Sequence, residues 1–187
     1  ELAISNSRKH KYYLMSFKKF NYKIVMSTND IAIKKIKKGL EKGIIISELQ
    51  KKGRGQHGKK WISLRGNLFI SIFFEIKKNV QIRKLTKINC EIIKKSLSKY
   101  INKKILIKHP NDLIINKKKF CGILQETIFN KKKKFIIIGI GINLIKNPII
   151  NGYPTTNILN ETGFKIKKLN LLKSIENNYS RKLKLFA

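Results

Sequence analysis

Gly53-Arg54-Gly55-Gln56-His57-Gly58-Lys59-Lys60-Trp61, followed directly by Ile62 to Ile76 (ISLRGNLFISIFFEI), is the stretch that decides the fold. The loop spells G-x-G-x-x-G and comes after an apolar, β-branched run, Gly43 to Glu48 (GIIISE), that reads as a buried strand. In a doubly wound nucleotide-binding fold that spelling opens a helix, whose N-terminus holds the pyrophosphate. Here Trp61 to Ile76 alternates with period two, placing Leu68, Ile70, Ile72, Phe74 and Ile76 on one face. A strand follows the loop, and the doubly wound reading falls away. Glycines between strands still permit positive φ and let backbone N–H groups approach an anion. Arg54, Lys59 and Lys60 bring charge to the same place.

Working outward, Tyr22 to Met26 reads as a short strand. Ser27, Thr28, Asn29 and Asp30 offer N-cap chemistry to a helix striped by Ile31, Ile33, Ile36 and Leu40, with Gly43 as its stop. Ile82, Leu85, Ile88, Ile92 and Leu97 predict a helix within Gln81 to Tyr100. Four strands follow, Ile105 to Lys108, Asp112 to Ile115, Lys119 to Phe129 and Phe135 to Asn143, with turns at Asn116-Lys-Lys and Asn130-Lys-Lys. Pro148 and Pro154 mark an irregular stretch, and Leu172, Ile175, Tyr179, Leu183 and Phe186 line a last helix. Residues 1–21, carrying Arg8, Lys9, Lys11, Lys18 and Lys19, form a basic lead-in. Blocks of strands separated by helices predict an α+β domain, a mixed β-sheet with helices on one side.

A chain of 187 residues suits one domain, and 42% hydrophobic residues with ten Phe and six Tyr argue against disorder despite a net charge of +33. Of the residues, 38 are Lys, 34 Ile and 18 Asn, against five Arg. Those three share A/T-only codons, so A/T-biased coding produces this composition without selection for an anionic partner. No apolar run approaches the roughly 18 residues that cross a bilayer. The start of the chain has no apolar signal core, and Cys90 and Cys121 make no disulfide framework, so a cytoplasmic protein is expected.

Further polar constellations join the glycine loop. Lys108-His109-Pro110-Asn111-Asp112 sets a cation, an amide and a carboxylate in one turn, where proline fixes φ. Gly122 on one strand, and Gly139 and Gly141 on another, sit where side chains would pack and suggest a cleft across the sheet. No H-x-x-E or C-x-x-C pattern offers a zinc site, which leaves His57 and His109 without a ligand role.

In order and spacing these segments resemble the catalytic domain of the biotin protein ligases, the biotin–[acetyl-CoA-carboxylase] ligases, over roughly residues 22 to 186. The motifs are S-T-N (Ser27, Thr28, Asn29), G-R-G-x-x-G-x-x-W (Gly53 to Trp61), K-x-P-N-D (Lys108 to Asp112), K-x-x-G-I-L-x-E (Lys119 to Glu126) and G-x-G-I-N (Gly139 to Asn143). The resemblance implies the biotin–lipoate ligase, class II synthetase-like fold. It implies ATP-dependent activation of biotin as biotinyl-5′-AMP, then transfer to a lysine of the biotin carboxyl carrier protein of acetyl-CoA carboxylase. ATP and Mg²⁺ would serve as cofactors and biotin as substrate.

Activation brings a carboxylate against the α-phosphate, so fixed cations are needed where the two anions meet. Arg54 and Lys119 are expected in that role. Ser27, Thr28, Asn29 and Gln50 would hydrogen-bond the ureido ring and its neighbours, and Trp61 would cover the ligand or the adenine. Lys108 and Asp112 would serve the phosphates, Mg²⁺ and the incoming lysine, whose amine a carboxylate could orient or deprotonate. Gly53, Gly55, Gln56, Lys59, Asn111, Gly122, Gly141 and Asn143 complete the substrate contacts that the resemblance implies.

Many members have Arg at the position of Gln56, which brings no charge, so leakage of the adenylate is expected here. Some 21 residues before the first strand are too few for the helix-turn-helix domain of repressor-type members, so no specific DNA target is expected. A C-terminal β-barrel domain is not expected either, which makes residues 22–187 a minimal or a truncated catalytic domain. Pairing of two copies through a sheet edge stays open. Two other readings are a lipoate or octanoate ligase or transferase, whose loop typically reads R-x-x-G-G-G, and a non-enzymatic basic module for nucleic acid. The latter lacks a stacking platform or recognition helix.

Overall fold

The computed structural model describes residues 17–182, so Arg8, Lys9 and Lys11 of the lead-in, and Leu183 and Phe186 of the last helix, lie outside the described residues. Seven strands form one mixed sheet in the order β1-β2-β3-β7-β6-β5-β4. They are β1 (Lys18–Tyr22), β2 (Lys42–Ser47), β3 (Leu68–Ile76), β4 (Leu106–Lys108), β5 (Asp112–Ile115), β6 (Lys118–Asn130) and β7 (Lys133–Ile142). Only β1 and β2 run parallel; every other pair is antiparallel. The helices are α1 (Thr28–Lys37), α2 (Ile82–Leu97), α3 (Ile158–Thr162) and α4 (Lys168–Lys182). None is long and apolar enough to cross a membrane among the described residues.

Alternation along the strands divides the sheet into two faces. Ile44, Ile70, Ile72, Ile138 and Ile140 point to one, where Leu85 and Ile93 of α2 and Leu171, Ile175 and Tyr179 of α4 complete the main core. Ile45, Phe73, Phe135 and Ile137 point to the other and meet Ala32 and Ile36 of α1. The expected helical layer on one side is therefore α2 and α4, whereas α1 covers part of the opposite face. With only Ala32 and Ile36 fully buried among its apolar residues, α1 shields only one end of that face. The rest of it is open to loops.

Several sequence boundaries shift for physical reasons. The first strand lies at Lys18–Tyr22, within the basic lead-in, and Val25 of the expected Tyr22–Met26 strand makes only a single parallel bridge with Gln50. Helix α1 stops at Gly39, φ +89°, and not at Gly43. Gly43 is a β2 residue where a Cβ would come 2.7 Å from the Phe73 ring. Both expected hairpins form: Asn116 and Lys117 take positive φ between β5 and β6, and Lys131 does so between β6 and β7. Helix α3 was not expected, although Asn157 caps it by accepting from Asn160 N–H at 2.9 Å and Gly163 closes it at φ +76°.

Asn67 anchors the chain as it leaves β7. Its buried Oδ1 accepts from the backbone N–H groups of Leu144, Ile145 and Lys146 at 3.0, 3.1 and 3.3 Å, and its Nδ2 donates to the Lys146 carbonyl. Asn67→Ala would strand these donors, so denaturant unfolding should show a loss of about 3 kcal/mol, the upper range for orphaning buried polar groups. An unchanged midpoint would contradict this anchoring role.

Candidate active site

The uncovered part of the α1 face is paved by glycine. Gly122 of β6 pairs directly with Gly141 of β7, with Asp112 of β5 beside Gly122 and Lys108 of β4 beside Asp112, all on this face. The loop 49–66 folds over that row. It closes as a narrow ring, with Trp61 N–H on the Gly53 carbonyl at 2.9 Å and Gly55 N–H on the Lys59 carbonyl at 2.6 Å. Gly53 is required because a Cβ there would come 2.6 Å from the Trp61 carbonyl oxygen. Trp61 is thereby laid on the sheet, so that a Cβ at Gly122 would come 2.6 Å from its ring and one at Gly141 would come 2.4 Å from it. The expected cleft at the strand glycines thus takes the protein's own side chains, since Asn29 lies over Gly139 in the same manner.

Two ends of this face differ in chemistry. At the N-terminus of α1 the innermost groups are neutral, and Thr28, Asn29 and Ser71 among them are buried. Thr28 donates from N and Oγ1 to Gln50 Oε1 at 2.9 and 3.0 Å, and Gln50 Nε2 donates to Ser63 Oγ at 3.3 Å. Ser71 of β3 lies 2.7 Å from Thr28 Oγ1 and donates to Asn29 Oδ1. Ser27 is buried at the N-cap position without a side-chain capping bond. Asn29 Nδ2 donates to Glu126 Oε2 at 2.5 Å, and the same carboxylate oxygen lies 2.8 Å from Arg54 Nη2, which also meets Asp30 at 3.0 Å. Two carboxylates therefore hold the guanidinium in place over β6.

The other end is charged. Lys119 Nζ lies 2.7 Å from Asp112 Oδ1, and the Tyr153 hydroxyl donates to Asp112 Oδ2 at 2.7 Å. Lys108 Nζ stands 4.3 Å over the Tyr153 ring, and Lys119 Nζ lies 5.4 Å from the Trp61 ring. Burial, with the Asp112 hydrogen bond second, pushes the Tyr153 phenol well above its ordinary range, so it stays a donor at neutral pH. The ends are linked by β6, whose Gly122 and Glu126 are four residues, roughly 13 Å, apart. Trp61 bridges them, and its buried Nε1–H has no hydrogen-bond partner among the described residues.

A β-bulge makes the charged end. Leu113 faces Cys121, but the next β5 residue, Ile114, faces Lys119, so Phe120 is an extra residue in β6. Phe120 and Cys121 both enter the core, and Lys119 emerges on the same face as Gly122. Strict alternation would have put Lys119 and Gly122 on opposite faces.

Of the expected site residues, Ser27, Thr28, Asn29, Gln50, Gly53, Arg54, Trp61, Lys108, Asp112, Lys119, Gly122 and Gly141 converge on this face. Gly55 and Gln56 lie in the loop's tight turn, and Lys59 is exposed beside it. Asn111 and Asn143 are engaged with backbone. Asn111 Nδ2 donates to the Ile123 carbonyl at 2.7 Å, and buried Asn143 Nδ2 donates to the Thr156 carbonyl at 3.1 Å, so both amides anchor backbone. Ser71, Asp30 and Tyr153 contact these residues although no motif marked them. Serine within the apolar run of β3 was the available signal for Ser71. Neither cysteine serves chemistry here. Burial, then Asp112 and Glu91, pushes Cys90 up to about 12, and burial raises Cys121 as well.

Residues 22–143 match the model of the biotin/lipoate A/B protein ligase family. The chain is 29% identical over 171 residues to the bifunctional ligase/repressor BirA of Escherichia coli (strain K12), covering 87% of this chain and 52% of that protein. It is 27% identical over 136 residues to the chloroplastic biotin–protein ligase 1 of Arabidopsis thaliana, covering 70% of this chain and 36% of that protein. It thus spans about half, or less, of the length of these relatives. Among solved structures, the biotin protein ligase of Aquifex aeolicus in complex with biotin and ATP superposes with a TM-score of 0.76 at 26% identity, over 90% of this chain and 71% of that one. The Leishmania major enzyme in complex with biotinyl-5-AMP shares the fold, with a TM-score of 0.76 at 21% identity, over 91% of this chain and 76% of that one.

Proposed function

The chain belongs to the biotin/lipoate A/B protein ligase family, and from that premise we propose that residues 22–187 are a catalytic domain that activates biotin with ATP as biotinyl-5′-AMP and transfers the biotinyl group to a lysine of a biotin carboxyl carrier protein in the cytoplasm. One observation carries the reading. The glycine loop and the start of β6, far apart in sequence, meet on one sheet face: Trp61 lies on Gly122 beside Lys119, and Arg54 of the same loop binds Glu126.

The neutral end suits a ureido ring, whose polar atoms must be satisfied once buried, and Thr28, Asn29, Gln50 and Ser71 supply donors and acceptors there. The charged end suits the nucleotide. Lys119 and Lys108 would take the phosphates, and Trp61 would cover the junction between biotin and nucleotide and offer its indole N–H. In activation a biotin carboxylate oxygen attacks the α-phosphorus and pyrophosphate leaves; the cations offset repulsion between the two anions as they meet. Among the described residues no group of three or more His, Cys, Asp or Glu side chains is placed to hold a metal ion. Mg²⁺ bound through substrate phosphates needs only one or two carboxylates, and Asp112 fits that part. The metal would supply charge neutralisation at the leaving phosphates. In transfer, Asp112 is the carboxylate available to the acceptor amine.

Pyrophosphate release that depends on added biotin tests the reading, and titration with biotin, lipoate and duplex DNA separates the rivals. Biotin binding insensitive to salt supports the ligase; tighter binding of lipoate, or only salt-sensitive binding of DNA, overturns it. Gln56, a neutral side chain beside the anion-binding loop, predicts a second outcome. Biotinyl-5′-AMP should escape and label lysines of bystander protein during turnover, and Gln56→Arg should reduce that labelling severalfold. Equal labelling by both proteins would count against a retention role for this position.

A further inference from the structure

Resting on the ligase reading, we propose that Tyr153 is a positioning residue for transfer: its phenol holds one oxygen of the Asp112 carboxylate so that the other faces the acceptor amine. The hydroxyl donates to Oδ2 at 2.7 Å, and Oδ1 is left to Lys119 at 2.7 Å. A carboxylate held at one oxygen only turns about its broad terminal torsion and offers either oxygen to Lys119. Tyr153 removes that freedom. Its own place is firmly set, because the following residues lie against the bulged start of β6. Lys119 N–H donates to the Pro154 carbonyl and Thr156 N–H to the Lys119 carbonyl, both at 2.9 Å. Ring contact with Lys108 at 4.3 Å fixes the other side. The residue that supports Asp112 is thus built onto the backbone of the residue that Asp112 holds.

In the transfer step the nucleotide phosphate draws Lys119 away from Oδ1, which becomes free for the acceptor lysine. The neutral amine attacks the acyl carbon of biotinyl-5′-AMP and the C–N bond forms. The acyl C–O bond to phosphate breaks, with its electron pair leaving on AMP. The nitrogen's surplus proton passes to Asp112 Oδ1 and from there to water. Tyr153 keeps its proton throughout and forms no bond to the substrate.

Single-turnover assays of the full chain with Tyr153→Phe, using a biotin carrier domain of acetyl-CoA carboxylase as acceptor, test this. Phe keeps the ring beneath Lys108, so the packing survives. The expected loss is about tenfold in kcat for transfer, the effect of one hydrogen bond to a charged group. The carrier KM should stay within about twofold, and biotin-dependent pyrophosphate release should fall about threefold at most. In an Asp112→Asn background, Tyr153→Phe should cost nothing further, because it acts only through that carboxylate. Equal losses in both steps, a loss carried by KM, or losses that multiply in the double variant would overturn the inference and leave the ligase reading standing. A wild-type chain without biotin-dependent pyrophosphate release would remove both.

Discussion

Lys119→Ala is expected to lower biotin-dependent pyrophosphate release by about a hundredfold or more, the usual effect of removing one preorganised charge from a transition state. The ammonium sits at the bulge, between the Asp112 carboxylate and the Trp61 ring, part-buried and aimed at the glycine row. The variant also leaves Asp112, 8% exposed, with Tyr153 as its remaining partner. A stability loss of about 1–3 kcal/mol should accompany the loss of rate. Lys119→Arg separates the two. A guanidinium restores the pairing with Asp112, hence most of the stability, but its planar fork does not replace a compact ammonium in the same space. Full-rate adenylate formation and transfer by Lys119→Ala would remove this residue from the mechanism.

The second large effect is expected from Gly141→Val. β7 is hydrogen-bonded on both sides, to β3 and to β6, so its backbone has nowhere to retreat. Because the new Cβ would come 2.4 Å from the Trp61 indole, the ring must leave the sheet and the loop must open with it. Displacement of a positioning element by an ångström or more costs about a hundredfold in rate, and a loss of at least that size is expected here. Trp61 is the only tryptophan in the chain, so its fluorescence reports the displacement directly as a red shift on exposure. The core face of the sheet is untouched, and circular dichroism should remain that of the parent. Parental emission together with parental activity would show that Trp61 does not depend on the glycine row.

How much was legible beforehand differs from element to element. Strand β3 was readable because alternation of large apolar residues has one interpretation once a loop precedes it. The two hairpins were readable because an Asn followed by lysines between two apolar runs marks a turn, and positive φ falls at Asn116 and Lys117 in the first and at Lys131 in the second. The N-terminus of α1 was readable from Ser27, but its end was misplaced, since two glycines, Gly39 and Gly43, carry the same local signal. Gly39 takes positive φ at the helix end, and Gly43 sits in β2 with the Phe73 ring packed against it. Tyr153 was invisible for a different reason. It lies in an irregular segment without period, and its partner Asp112 is 41 residues away.

Local patterning by itself settled that strands flank the glycine loop and that the domain is a mixed sheet with helices. These follow from periodicity and backbone permissiveness, which act over a few residues. Tertiary structure decided which of those polar groups look at one another. The extra residue at Phe120 turns Lys119 onto the face of Gly122, the short apolar stripe of α1 leaves part of that face free, and the loop lays Trp61 across it. Asn111 and Asn143, alike in sequence to site residues, are drawn to nearby carbonyls. A side chain's direction depends on strand register and on which backbone groups remain to be satisfied, and both are properties of the assembled sheet.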